Sequence, residues 1–129
     1  MQNTTARVFS ITGFFILAAM AHTVAKPAKL YVSPVGNDAW SGAKRTRVLG
    51  HFGTNGPFAT LERARDEIRE RRKAGALSGE GVEVELQAGT YVLTSTFELS
   101  EADSGTTGSP VVYRAREGRT VRLVGGMRV

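Results

Sequence analysis

The 129-residue sequence contains no cysteine, one tryptophan and two histidines. The absence of cysteine excludes disulfides, thiolate metal sites and a lipid-modified cysteine anchor. The excess of positive charge is small, because the chain has 17 basic and 12 acidic residues and a formal net charge of +5. The basic residues are also mixed with acidic ones along the chain. Nucleic-acid binding is therefore not expected, since it favours a basic face interleaved with aromatic side chains.

Glycine, by contrast, is abundant at 15 residues, and 41% of the residues are hydrophobic. This composition is ordinary for a globular chain, and the glycine content is typical of a turn-rich β protein. The length allows at most one domain with a modest core.

The N-terminus has the pattern of a secretory signal peptide. Arg7 supplies one positive charge, and the apolar run VFSITGFFILAAM follows it. Small residues then predict cleavage after Ala21 or Ala25, so residues 1–25 are interpreted as the signal. The alternative is a transmembrane anchor, but this run is shorter than the ~20 apolar residues that span a bilayer. We expect a secreted, periplasmic or cell-surface protein with no stable membrane insertion after cleavage.

A turn-rich loop follows a short predicted strand at residues 30–33 and holds the candidate binding residues. Trp40 is a candidate platform for stacking a sugar ring of a substrate, or else an anchor that packs the loop on the protein body. Asn37 and Asp38 offer oxygen ligands for calcium, or side-chain hydrogen bonds within the turn. No other cofactor is expected.

The next loop, residues 44–55, is basic and has no periodicity. Its cations Lys44, Arg45 and Arg47 are candidates for contact with an acidic polymer such as a uronate, although such clusters are more often a solvated surface. His51 has no acidic or histidine partner at a useful spacing and is interpreted as a solvated loop residue.

One amphipathic helix is predicted over Leu61 to Ala74, with Thr60 as its N-cap and Gly75 as its C-terminal stop. Acidic residues come early and basic residues late, in agreement with the helix dipole. The apolar stripe is narrow and consists of Leu61, Ala64 and Ile68. Because the rest of the helix is charged, we expect only this stripe to pack on the protein body, with the helix acting as a lid and not as a core helix.

From residue 81 onward the sequence predicts short strands separated by glycine-containing corners. Val82, Val84 and Leu86 alternate with Glu83 and Glu85, which is the period of a strand with one buried face. The predicted strands are residues 82–86, 90–93, 96–99, 111–115 and 120–124.

These strands favour a solenoid, because no connection between them resembles a tight hairpin. Five strands at about three per coil make fewer than two coils, whereas solenoids need roughly three repeats. We therefore expect residues 81–129 to be the first coils of a longer protein, and we expect poor solubility or oligomerisation through the open edge. A small β-sandwich is the alternative.

Glu83 and Glu85 are the one pair of carboxylates that the sequence places on the same face of a predicted strand. Two residues of ~3.3 Å rise place them ~6–7 Å apart, close to the ~5–5.5 Å or ~6.5–9.5 Å that glycoside hydrolysis requires. The favoured interpretation is nevertheless a wet outer face, with both glutamates paired to arginines. Glu101 and Asp103 are interpreted as turn formers. No catalytic residue is assigned.

Several segments together resemble a known family. In order they are YVSPVGNDAWSG, GPFATLERARDEIRERRKAGAL, GVEVELQAGTYVL, FELSEADSGTTGSPVVYRAREG and VRLVGG, covering about residues 30–126. They resemble the N-terminal region of secreted bacterial right-handed parallel β-helix proteins of the pectin lyase-like superfamily, especially members similar to glycoside hydrolases.

The resemblance implies a mainly β fold, namely the N-terminal portion of a right-handed parallel β-helix. Residues 26–80 would supply its first strand, loop and capping helix. It further implies an exported carbohydrate-active protein that meets polysaccharide, with a glycoside hydrolase as the parent activity and its catalytic groups in later coils. The alternatives are a polysaccharide lyase and a non-catalytic adhesin or polysaccharide-binding module. Whether this chain is itself an enzyme is left open.

Overall fold

The computed structural model describes residues 26–48, 54–77 and 79–126. The signal-peptide prediction for residues 1–25 and the interpretation of His51 lie outside these ranges. In chain order the elements are β1 (Ala28–Val32), α1 (Leu61–Lys73), β2 (Val82–Leu86), β3 (Gly89–Leu93), a 3-10 turn (Glu101–Asp103), β4 (Val111–Ala115) and β5 (Val121–Gly125).

The strands form two small parallel sheets. The first has the order β1-β2-β4 and the second pairs β3 with β5. Leu30, Val84 and Tyr113 lie opposite one another across the first sheet, and Tyr91 lies opposite Leu123 in the second. We call β2 with β3 the middle tier and β4 with β5 the outer tier, because each strand of one tier pairs with a strand of the other.

The core lies between the inward faces of these sheets and the helix. Leu30, Val32 and Val84 are fully buried, as the alternation in the sequence predicts. Tyr91 also reaches this core, and its hydroxyl donates to the carbonyl oxygens of Val32 (3.0 Å) and Gln87 (2.9 Å). Burial raises the pKa of Tyr91 to about 12, so the phenol stays protonated and ties β3 to β1.

Helix α1 confirms the predicted amphipathic helix and its narrow stripe. Its buried residues are Leu61, Ala64 and Ile68, and the helix contacts β1. The Thr60 side chain caps the N-terminus by accepting from the Arg63 N–H. At the other end Gly75 has a positive φ of 66°, the left-handed conformation that commonly ends helices at glycine.

The fold-class prediction is wrong. The described residues form a three-stranded and a two-stranded parallel sheet with one helix, and they make no closed solenoid. A right-handed parallel β-helix would need strands around the whole perimeter of each coil. The predicted strand at residues 96–99 is absent from that part of the structure, so the perimeter stays open there.

Side-chain contacts explain why residues 96–99 do not join a sheet. The Glu98 carbonyl oxygen accepts from Arg65 Nη1 of α1 at 3.0 Å, and the Arg65 guanidinium lies 5.8 Å from the Phe97 ring centroid. Phe97 in turn meets Tyr113 edge to face, with ring centroids 5.8 Å apart. Tertiary packing has therefore overridden the local β preference of this segment.

Candidate functional site

The predicted carboxylate pair lies on the outer face of the three-stranded sheet. Glu83 and Glu85 belong to β2, the central strand, and point away from the core because their neighbours Val82, Val84 and Leu86 point into it. The parallel register puts Lys29 opposite Glu83, and it puts Tyr31 and Arg114 on either side of Glu85. Both glutamates therefore have cationic side chains within reach.

Glu85 is buried under the loop that precedes the helix. Arg45 Nε donates to Oε1 at 2.8 Å and Arg45 Nη2 donates to Oε2 at 3.1 Å, while Gln87 Nε2 donates to Oε1 at 3.1 Å. The Arg45 guanidinium also lies 5.5 Å from the Tyr31 ring centroid. Only 6% of the Glu85 side chain is exposed. The prediction of a wet face is therefore wrong at Glu85.

The protonation state of Glu85 follows from these contacts. Burial alone would raise the pKa of the Glu85 carboxyl, but the bonds from Arg45 and Gln87 outweigh it and lower that pKa below its ordinary value. An ionised, doubly held carboxylate has no proton to donate as a general acid at neutral pH. Its geometry is that of a structural ion pair.

Glu83 is paired with two cations, whereas Glu85 is paired with one. Lys29 Nζ and Arg114 Nη2 each lie 3.0 Å from its Oε1. Because Lys29 is on β1 and Arg114 on β4, the Glu83 carboxylate links all three strands of the sheet. The prediction that these glutamates pair with arginines is confirmed for both. The ion pairs of Glu83 and Glu85 therefore connect strands and loop electrostatically.

Trp40 lies half-buried in the loop between β1 and α1. A Cβ added at Gly56 would come within 2.3 Å of the indole, so this glycine permits close packing of ring on backbone. The Arg47 guanidinium lies 5.6 Å from the Trp40 ring centroid, which is within cation–π range. These contacts fit the loop-anchor interpretation, while the role of Trp40 in substrate binding stays a prediction.

The oxygens of Asn37 and Asp38 accept hydrogen bonds from nearby protein groups. Asn37 Oδ1 accepts from the Ala39 N–H at 2.8 Å. Asp38 Oδ1 accepts from the N–H groups of Ala59 (2.8 Å) and Thr60 (3.0 Å), and Oδ2 accepts from the Thr60 hydroxyl at 2.8 Å. Hydrogen bonding within the turn is confirmed for Asn37. Asp38 instead bonds to residues outside the turn and fastens the loop to the start of α1. In the described ranges no three histidine or acidic side chains are grouped closely enough to hold a metal ion.

Among Glu83, Glu85 and Asp103, the Asp103 carboxylate accepts the most hydrogen bonds. Arg69 of α1 binds it with two parallel bonds of 2.6 and 2.5 Å, and the Ser100 N–H donates to Oδ2 at 2.7 Å. The Arg69 guanidinium is the main cause that holds the pKa of the Asp103 carboxyl well below its usual range; burial opposes it, and the Ser100 N–H lowers that pKa further. The turn-former prediction is confirmed for Asp103.

No local sequence pattern predicts the pairing of Asp103 with Arg69, which are 34 residues apart. A local signal for the turn itself is present, because Ser100 and Asp103 form a capping box around the 3-10 turn. The arginine partner has no such signal. Arg69 reaches Asp103 because the turn packs next to α1 in the folded protein. At the same place Arg72 donates to the carbonyl oxygens of Ala102 and Ser104.

Two adjoining concave surfaces lie where this turn meets the C-terminal half of α1. The larger, of about 550 Å³, has a lining rich in hydroxyl and glycine residues. The smaller, of about 400 Å³, is basic and is lined by Arg69, Arg72, Lys73, Ser100 and Ala102. Arg72 and Ala102 border both. The contacts of Arg69 and Arg72 with the turn hold the two walls in place.

Comparison with known proteins finds no matching family model and no matching curated protein. A solved structure named glycoside hydrolase does resemble the chain, with 31% identity and a TM-score of 0.67. The match covers 79% of this chain but only 16% of the glycoside hydrolase chain. The predicted similarity to a glycoside hydrolase is thereby confirmed, whereas the pectin lyase-like superfamily is not confirmed.

Proposed function

We propose that this chain is the N-terminal, structural part of an exported carbohydrate-active protein of glycoside hydrolase type, and that its partner is polysaccharide. The similarity to the named glycoside hydrolase carries the proposal. Because the chain spans 16% of that protein's length, the hydrolase activity is proposed for the larger protein type and not for these residues alone.

The ion pairs support an inactive chain. Glu83, Glu85 and Asp103 each have a cation within 3.0 Å, whereas glycoside hydrolysis needs one protonated carboxylic acid beside a second carboxylate. A non-catalytic polysaccharide-binding module is the second candidate function, and the same pairing of carboxylates favours it. A lyase has no comparable support among the described side chains.

Turnover and binding test the two parts of the proposal separately. The purified chain is incubated with neutral and uronate-containing polysaccharides, and reducing ends and unsaturated products are measured. We expect no turnover of any of them. In native gels containing the same polysaccharides we expect retardation of the chain by at least one. Turnover would contradict the structural role, and mobility unchanged in every gel would contradict the polysaccharide partner.

A matched pair of variants locates the binding surface. Lys73 lines the basic concave surface beside α1, whereas Lys26 is exposed near the start of β1. If the polysaccharide contacts the concave surface, Lys73→Gln reduces the retardation and Lys26→Gln does not. Equal effects of both variants would indicate a diffuse charge effect in place of this site.

Export is proposed from the pattern of residues 1–25. In the part of the chain that the structure describes, no helix is long and apolar enough to cross a membrane. Expression in an exporting bacterial host, followed by mass spectrometry of the exported chain, tests the proposal. We expect a new N-terminus at His22 or Lys26. Retention of Met1 on all of the protein would contradict signal cleavage.

A further inference from the structure

Helix α1 ends in two cations that have no acidic partner. Its positively charged side chains are Arg63, Arg65, Arg69, Arg71, Arg72 and Lys73. The first four each have a nitrogen 2.5–2.9 Å from a carboxylate oxygen. Within residues 26–48, 54–77 and 79–126, neither Arg72 nor Lys73 forms an ion pair. Carboxylates of the described residues therefore compensate the positive charge along most of the helix but not at its end.

These two cations line the smaller concave surface beside the helix, which has a volume of about 400 Å³. Arg69 contributes a third positive charge to the same surface, and the other lining residues, Ser100 and Ala102, are neutral. None of the described residues that line it is acidic. A concave surface lined by charges of one sign concentrates ions of the opposite sign, so this surface favours an anionic ligand.

The turn that faces α1 holds the Arg72 side chain in place. Its Nη1 donates to the carbonyl oxygen of Ala102, and its Nη2 donates to the carbonyl oxygen of Ser104 at 3.1 Å. These bonds use only part of the N–H groups of the guanidinium, and both acceptors are neutral. A ligand that binds Arg72 therefore meets a side chain that is already ordered, which lowers the entropy cost of binding.

Lys73 is exposed next to Arg72. Its ammonium group carries three donors on a flexible stem, so it can reach a ligand group that Arg72 binds. The alternative explanation is that both cations only stabilise the negative C-terminal end of the helix dipole. That role requires neither a concave surface nor an ordered guanidinium, and both are present here.

We propose that the smaller concave surface binds anionic substituents of the polysaccharide, namely carboxylate or sulfate groups. This inference rests on the proposed polysaccharide partner and adds the charge of that partner. Carboxylates and sulfates accept charge-assisted hydrogen bonds from guanidinium and ammonium groups. Arg72 orients the anionic group, and Lys73 strengthens its attraction to the surface. The volume of about 400 Å³ is typical of small-ligand sites.

Isothermal titration calorimetry with three polymers of one backbone tests the proposal. The polymers are dextran, carboxymethyl-dextran and dextran sulfate. We expect the purified chain to bind at least one of the two anionic polymers, with an affinity that falls as the ionic strength rises. Binding of only one of them identifies the anion as carboxylate or sulfate, and binding of both assigns either anion to the surface. The proposal is overturned if neither anionic polymer binds or if neutral dextran binds with the same affinity.

A series of charges at Lys73 distinguishes this site from a diffuse attraction between the polymer and a basic chain. Lys73 is exposed, so its substitution leaves the core intact. Lys73→Arg keeps the affinity, Lys73→Gln raises the dissociation constant about threefold, and Lys73→Glu raises it about tenfold or more. The same substitutions at Lys26, which is exposed near the start of β1, change it by less than about twofold. Equal effects at the two positions overturn the proposal.

The two proposals can fail separately. If neither anionic dextran binds while a neutral polysaccharide still retards the chain in native gels, the anionic site is wrong and the polysaccharide partner stands. If no polysaccharide binds in either experiment, the proposed function itself is wrong.

Discussion

At the scale of single residues, the described carboxylates with buried positions serve the fold. Glu85 and Asp103 each receive two bonds from one arginine, a geometry that is stronger than a single charge contact. Removing one partner of such a pair leaves a buried charge without compensation. Their substitution should therefore alter stability, and its pH dependence identifies the group responsible.

Asp103→Asn is expected to lower the free energy of unfolding at pH 7 by ~1–3 kcal/mol, because the charged bonds from Arg69 are weakened. The folded protein lowers the pKa of this carboxyl, so its contribution is present above the ordinary pKa of ~3.9 and is lost as the pH falls toward the lower folded pKa. In urea denaturation the difference between wild type and Asp103→Asn should shrink below about pH 4.

The neighbouring Glu101 supplies the control for this prediction. Glu101 is exposed, so Glu101→Gln should change stability by less than ~0.5 kcal/mol. A stability difference for Asp103→Asn that stays constant from pH 7 to pH 3 would show that the Asp103 charge is not responsible.

Substituting two glycines by alanine distinguishes the effect of backbone strain on stability from the effect of a steric clash. Gly42 and Gly75 both have a φ of 66°, but a Cβ on Gly42 would come within 2.2 Å of the Phe58 ring, whereas nothing lies within 4 Å of one on Gly75. Gly75→Ala should lower the free energy of unfolding by ~1–2 kcal/mol, because alanine is strained in the left-handed conformation. Gly42→Ala should lower it by the same amount plus ~1–3 kcal/mol, because the added methyl group also overpacks the Phe58 ring. Urea denaturation measures both. Equal losses would contradict close packing of Phe58 on Gly42.

At the scale of elements, the start of α1 depends on a relay from the preceding loop. The Thr60 hydroxyl accepts from the Arg63 N–H and donates to Asp38, whose carboxylate also accepts two backbone N–H groups. A negative charge at this end agrees with the helix dipole. The N-cap thus fixes the helix and also attaches the loop that carries Trp40.

Thr60→Ala is expected to destabilise the protein by ~1–2 kcal/mol, as loss of an N-cap does. Thr60→Ser keeps the hydroxyl and should cost clearly less. Chemical denaturation of both variants tests this prediction. The relay further predicts that Asp38→Asn and Thr60→Ala are not additive in a double-mutant cycle, because both remove the same contact. Additive losses of stability would show that the attachment of the loop by Asp38 and the capping of the helix by Thr60 act independently.

At the scale of the whole molecule, packing weakens from the middle tier to the outer tier. Four of the five residues of β2 are buried, and none of β5 is. Local opening is easiest where few apolar contacts must be broken. The fold therefore has a stable end at β1, β2 and α1 and a less stable end at the outer tier.

Hydrogen exchange measured by mass spectrometry at low protein concentration should follow this gradient. Amides of β2 are expected to exchange most slowly and amides of β5 most rapidly among the strands, with β4 between them. Slower exchange in β5 than in β2 at low concentration would contradict the gradient.

Local features of this protein were predictable from the sequence. The alternation of Val82, Val84 and Leu86, the helix with its cap at Thr60 and the stop at Gly75 all depend on neighbours within a few residues. The same holds for the turn at Asp103, whose capping partner is Ser100. Such short-range preferences act before any long-range contact forms.

Only the tertiary structure decided the rest. Arg45 meets Glu85 across 40 residues and Arg69 meets Asp103 across 34, and no local pattern distinguishes these arginines from the others. The segment at residues 96–99 has strand-like composition but is held by Arg65 instead of a ladder, and the solenoid prediction failed at that segment. The physical reason is that side chains far apart in sequence choose partners only after the strands have stacked, and their contacts can then outweigh local propensity.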